Sequence, residues 1–244
     1  MSDKIESSNS TLENFLDWYE SNVVLRVGAI ALIPATHGVS HILDAGLTGT
    51  LAYLRKVRMR TFGNELIELN IGPSEEEVKS REFMEGFLAT ASRVVNTKRE
   101  EKIKLFARLF KSYWDDKQFD LDSYDKYEED LAIVDELGHR EFFVLVVLDE
   151  FESKNPLEPG ANRLQRAQKF WPEFESKVAK ALDITVDEVQ AYLQRLTRSG
   201  LYQPIVGTYL NYAGGRGYLT PRFEKLKRRL GPLDLNTIRT TAEE

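Results

Sequence analysis

The chain has 244 residues, 42% hydrophobic and 30% charged, enough for one large domain or two small ones with separate cores. With no cysteine, disulfides and thiolate chemistry of every kind are excluded. The net charge of −6 is unevenly spread: residues 1–159 carry 30 Asp+Glu against 19 Lys+Arg, and residues 160–244 carry 14 Lys+Arg against 9 Asp+Glu. That is the pattern of an acidic body joined to a basic, polyanion-binding module.

Residues 1–10 are polar and serine-rich and lack the apolar stretch of a secretory signal. They are expected to form a disordered tail on a cytoplasmic protein. Thr11 caps a first helix carrying Leu12, Phe15, Leu16 and Tyr19 and running past Val27 until Pro34 interrupts it. Residues 27–43 contain no Asp, Glu, Lys or Arg, but at 17 residues they fall short of the ~20 needed to span a bilayer, and they include Pro34, Gly38 and two histidines. A buried hairpin of small residues is the expectation here. The alternative is an interfacial segment, with Arg55, Lys56, Arg58 and Arg60 meeting anionic lipid.

Ile42, Leu43, Leu47, Leu51, Leu54, Val57, Phe62, Leu66 and Leu69 keep a helical period until Gly72 and Pro73 stop it. Ser74 and Glu77 have capping-box spacing and open a helix with Val78, Phe83, Phe87, Ala91 and Val94 inward. Ile103, Phe106, Ala107, Phe110 and Trp114 mark the next one, and the acidic, tyrosine-rich residues 117–130 are expected as a loop leading to a short helix. No two-residue alternation of β-branched residues occurs in this half, so residues 11–136 are expected to be an all-helical bundle.

Leu137 and Gly138 read as a hinge into a second domain over residues 137–231, followed by a tail over 232–244. Residues 140–151 form an apolar helix buried on several sides, and residues 174–182 form the helix before a turn. Thr185 and Glu188 then box the start of a helix with Val186, Val189, Leu193 and Leu196 inward, and Ser199-Gly200 ends it. An alternating run, a Gly-Gly-Arg-Gly tip at residues 214–217, a returning strand and a basic helix opened by Pro221 complete the order. This order predicts a winged helix-turn-helix with a two- or three-stranded wing. The fold class is therefore mainly α, an N-terminal helical bundle plus a small α+β module.

In such a module the outer face of the second helix approaches base edges while cations around it contact phosphates. The candidate nucleic-acid-binding residues are Gln190, Gln194, Arg195 and Arg198 on that helix, Arg216 on the glycine tip, and Arg222, Lys225, Arg228 and Arg229 on the last helix. Asp187 and Glu188 oppose this role, because they sit at the helix start that a phosphate would approach. The glycine tip is followed by no Gly-Lys-Ser/Thr, so a nucleotide phosphate loop is excluded. His37, His41 and Asp44 share a face at i, i+4 and i+7 and are the only metal-ligand candidates; a satisfied polar face is the preferred reading, since the zinc-hydrolase Glu is lacking. No catalytic triad or paired-carboxylate motif stands out, so neither an enzyme nor a cofactor is expected.

The stretches VGAIALIPATHGVSHILDAGLTGTLAYL, LRKVRMRTF, REEKIKLFARLF and ELGHREFFVLVVLDEFE, in that order, resemble the bacterial abortive-infection proteins of the alpha type. The resemblance spans about residues 27–150 and implies a link to phage defence; it assigns no functional residue. The reading at this level is a non-enzymatic bacterial regulator whose expected partners are double-stranded DNA or a protein, with a helical domain that either forms a homodimer or senses a signal. A membrane-active or protein-docking effector stands as the alternative.

Overall fold

The computed structural model describes residues 2–19, 41–116, 121–206 and 214–232. The chain divides into two compact units, Met1–Asp135 and Glu136–Glu244. The chain is mainly helical, with one small two-stranded antiparallel sheet among the described residues.

The described secondary structure of the first unit is helical: α1 (Ser2–Tyr19), α2 (His41–Glu68), α3 (Glu75–Val78), α4 (Arg81–Val94), α5 (Glu100–Asp116) and α6 (Leu121–Glu136). Its core is aromatic. Phe62, Phe83, Phe87, Phe106 and Phe110 are fully buried, and Phe15 meets Phe87 edge-on at 4.9 Å as Phe83 meets Trp114 at 5.1 Å. Edge-to-face pairs of this kind add to the gain from burying the rings. Gly86 is required where the rings crowd, since a Cβ there would lie 2.5 Å from the Tyr113 ring. Tyr127 is buried against Thr90, with their hydroxyls hydrogen-bonded, and burial pushes its phenol well above the ordinary range.

Three expectations for this unit change. Residues 2–10 extend α1 upstream of Thr11 instead of forming a tail, and Leu12, Phe15 and Tyr19 dock the C-terminal half of that helix in the core. The Ser74 capping box forms, but it holds only the short α3; Ser80 caps a separate α4, its hydroxyl accepting from the Phe83 N–H at 3.2 Å. The acidic tyrosine-rich stretch is helical from Leu121 onward, because Tyr127, Leu131 and Val134 give it a buried stripe. The Pro34 interruption, the small-residue hairpin, residues 117–120 and the tail over 233–244 lie outside the described residues.

The second unit runs α7 (His139–Lys154), α8 (Arg163–Leu182), α9 (Val186–Arg198), β1 (Tyr202–Pro204), β2 (Gly217–Leu219) and α10 (Pro221–Leu230). α7 is buried from Phe142 through Leu148, which explains why its apolar residues show no one-sided spacing. α7, α8 and α9 each contact the other two, and β1 packs on α9 while β2 packs on α7 and α8. α8 begins eleven residues before residue 174, with Pro172 inside it. Pro172 removes one backbone donor, yet Phe170, Trp171 and Phe174 are buried on both sides of it and hold the helix through the break. α9 keeps Val189, Leu193 and Leu196 in the core, worth roughly 1.5–3 kcal/mol each. Val186, expected inward, is 45% exposed, because it occupies the first turn, before the helix closes on its neighbours.

The strands pair antiparallel, with Tyr202 opposite Leu219 and Pro204 opposite Gly217. Gly217 has to lack a side chain, since the Tyr202 ring and the Gln203 carbonyl occupy the place where a Cβ would be. The outer edge of β2 is closed by a side chain: the Leu219 N–H donates to the Glu152 carboxylate of α7 at 3.2 Å. Glu152 also pairs with Arg166 of α8 at 2.7 Å, and burial raises its pKa above the ordinary glutamate value. Residues 207–213, part of the expected alternating run, lie outside the described residues.

Candidate nucleic-acid interface

α8 and α9 are joined by a three-residue turn over 183–185. Asp183 takes a left-handed conformation (φ 51°) and ends α8, and Thr185 caps α9. The Thr185 N–H and hydroxyl both donate to the Glu188 carboxylate, at 2.8 and 2.9 Å, and hold it below the usual glutamate range. The start of α9 therefore keeps a charged carboxylate beside exposed Asp187, which repels phosphate there.

The candidate base readers divide. Gln190 spends both amide hydrogens inside the protein, donating to Glu175 Oε1 at 2.6 Å and to the Gly215 carbonyl at 2.8 Å. A glutamine reads adenine by donating to N7 while accepting from N6. With its donors committed to two acceptors, Gln190 cannot make that pair. Its role is to tie the glycine tip to α9 and α8. Arg195 places Nε 2.9 Å from Glu141 of α7, a carboxylate that is buried and also accepts from the Gly138 N–H at 2.7 Å. Gln194 and Arg198 are exposed and make no hydrogen bond or ion pair among the described residues.

The start of α10 lies at the other end of α9. Thr220, the cap of α10, donates its hydroxyl to the Gly200 carbonyl at 2.6 Å, and a Cβ on Gly200 would lie 3.5 Å from Arg222 Cδ. The start of α10, with Arg222, thus lies against Gly200, two residues after Arg198 at the end of α9. Lys225, Arg228 and Arg229 follow at helical spacing, while Phe223, Leu226 and Leu230 face the core. Lys225 and Arg228 are exposed and unpaired among the described residues, Arg229 is half-buried, and Lys227 is drawn off to Asp149 at 2.7 Å. Glu224 is the single acid on this helix.

Arg216 is half-buried at the base of the hairpin, where its carbonyl accepts from the Ile205 N–H at 2.8 Å. It stands beside Gly215 and Gln190, about 12 Å along α9 from Arg198 by helical rise. The nine candidates are therefore divided: Gln190, a strut, and Arg216 stand at the hairpin, Gln194 and Arg195 lie farther along α9, and the other cations are Arg198 near the end of α9 and Arg222, Lys225, Arg228 and Arg229 on α10.

Sequence reasoning missed Arg163, whose guanidinium lies 3.7 Å over the Tyr218 ring and adds a cation beside the sheet. It also missed Glu141, Glu152 and Glu175. The Gly138-to-Glu141 spacing carries a capping signal, whereas the other two are found only by helix packing. His41 and Asp44 fall in α2 and His37 lies outside the described residues. Among the described residues no group of three His, Asp or Glu is placed to hold a metal, and no helix is long and apolar enough to cross a membrane. Comparison with protein-family models, with curated proteins and with solved structures finds no significant match to this chain.

Proposed function

We propose that the Glu136–Glu244 unit is a winged helix-turn-helix and that it binds a nucleic-acid duplex chiefly through phosphates. The order helix, helix, three-residue turn, helix, strand, strand supports the fold reading. Glu152 stands in for a third strand by taking the outer Leu219 N–H. The observation that carries the binding reading is the set of cations near the end of α9 and along α10, of which Arg198, Lys225 and Arg228 are exposed and uncommitted among the described residues. Cations there neutralise phosphate, and only Gln194 and Arg198 remain on α9 for base contacts.

Binding is therefore strong in its charge component and weak in its preference among sequences. Anisotropy titrations with several unrelated duplexes test this. They are expected to give affinities within about tenfold of one another, below the 10³-fold or more that separates specific from non-specific binding. A single sequence bound a thousandfold more tightly than the others would overturn the phosphate-dominated reading, and no binding to any duplex at low salt would overturn the function.

A further inference from the structure

Three cations of α8 are taken up by carboxylates: Arg166 by Glu152 at 2.7 Å, and Lys169 by Glu158 and Lys177 by Glu150 at 2.6 Å. Arg163, exposed at the start of the same helix, is held differently. Its guanidinium carbon lies 3.7 Å from the centre of the Tyr218 ring, and it makes no hydrogen bond or ion pair among the described residues. A guanidinium comes that close to a ring only face-on. Its N–H donors lie in its own plane, so the stack leaves them unused. Tyr218 pairs across the sheet with exposed Gln203, while Tyr202 and Leu219 fill the buried side, so the stack stands on the outer face of the hairpin. No Asp or Glu occurs from residue 189 to residue 223, and Glu158, the nearest acid before Arg163, is engaged by Lys169.

We propose that Arg163, oriented by Tyr218, grips a backbone phosphate of the bound duplex with two N–H donors. This rests on the duplex-binding reading and adds to it a contact on α8 and the sheet. A guanidinium forks onto two oxygens of one phosphate, which an ammonium cannot do. A long side chain loses rotamer freedom when it grips a ligand, and stacking on the ring removes much of that freedom beforehand. Tyr218 is the positioning residue, and its ring rather than its hydroxyl performs the task.

The test is anisotropy titration of the full chain against a labelled DNA duplex and its single strand across a range of salt. Arg163→Gln should weaken duplex binding by at least about threefold and make the salt slope shallower by about 0.9. Arg163→Lys should keep the slope and still bind more weakly than wild type. Tyr218→Phe should bind like wild type, and Tyr218→Leu should bind more weakly. Circular dichroism should show all four variants folded, since neither side chain lies in the core. Wild type that binds no duplex at low salt defeats the duplex-binding reading and this inference with it. Wild type that binds while Arg163→Gln overlies it, or loses affinity with an unchanged slope, defeats this inference alone. So does a Tyr218→Leu variant that binds like wild type, or a loss in Arg163→Gln confined to the single strand, which would assign Arg163 to base stacking.

Discussion

Gln190 illustrates how a residue with the right chemistry can be occupied elsewhere. Its two donated bonds hold α9, α8 and the hairpin base together, so Gln190→Ala is expected to cost about 1 kcal/mol of stability per bond at most. Urea unfolding reads that loss, and duplex affinity measured well below the transition should stay within a few-fold of wild type. An affinity loss matching that of Arg228→Ala would return Gln190 to the binding surface. Glu152 makes a different prediction. Its pKa is raised from the usual 4.5 by burial, which outweighs the opposing pull of Arg166 and the Leu219 N–H. The folded state therefore holds the proton more readily than the unfolded one. The stability this group contributes is full below its unfolded pKa and is lost as pH rises through its folded pKa. The margin of wild type over Glu152→Gln should shrink as pH rises above 4.5; a margin that widens would mean that the Arg166 ion pair dominates.

At the scale of the element, the boxed starts of α3 and α9 were legible in Ser74-to-Glu77 and Thr185-to-Glu188, because a capping box is local chemistry within four residues. Thr185→Ala is expected to cost about 1 kcal/mol, seen as a lower melting temperature. Gly217→Ala should do more damage, because its methyl would enter the space of the Tyr202 ring. Loss of the strand pairing is readable by hydrogen exchange at Ile205 and Thr220, whose N–H groups donate across the hairpin. What stayed illegible depends on partners distant in the chain. Pro172 looks like a boundary until Phe170, Trp171 and Phe174 are seen packed around it, and the acidic stretch after residue 120 looks like a loop until Tyr127 is seen buried against Thr90. The basic residues of the candidate site were legible as types. Their division into exposed cations and residues engaged by the fold was not, because Glu141 and Glu175 reach α9 from other helices.

On the scale of the whole molecule, the split into Met1–Asp135 and Glu136–Glu244 predicts that residues 136–244 fold when expressed alone. A dispersed amide spectrum and a cooperative melt are expected, and a collapsed spectrum would contradict it. On the proposed function, the exposed cations near the end of α9 and along α10 neutralise duplex phosphates. This is tested most directly by the salt dependence of duplex affinity for wild type and Arg198→Ala/Lys225→Ala/Arg228→Ala. The logarithm of the binding constant should fall linearly with the logarithm of salt concentration, and the triple variant should bind more weakly with a slope shallower by about 0.9 for each phosphate it no longer neutralises. A salt-independent affinity, or a triple variant whose line overlies that of wild type, would contradict it.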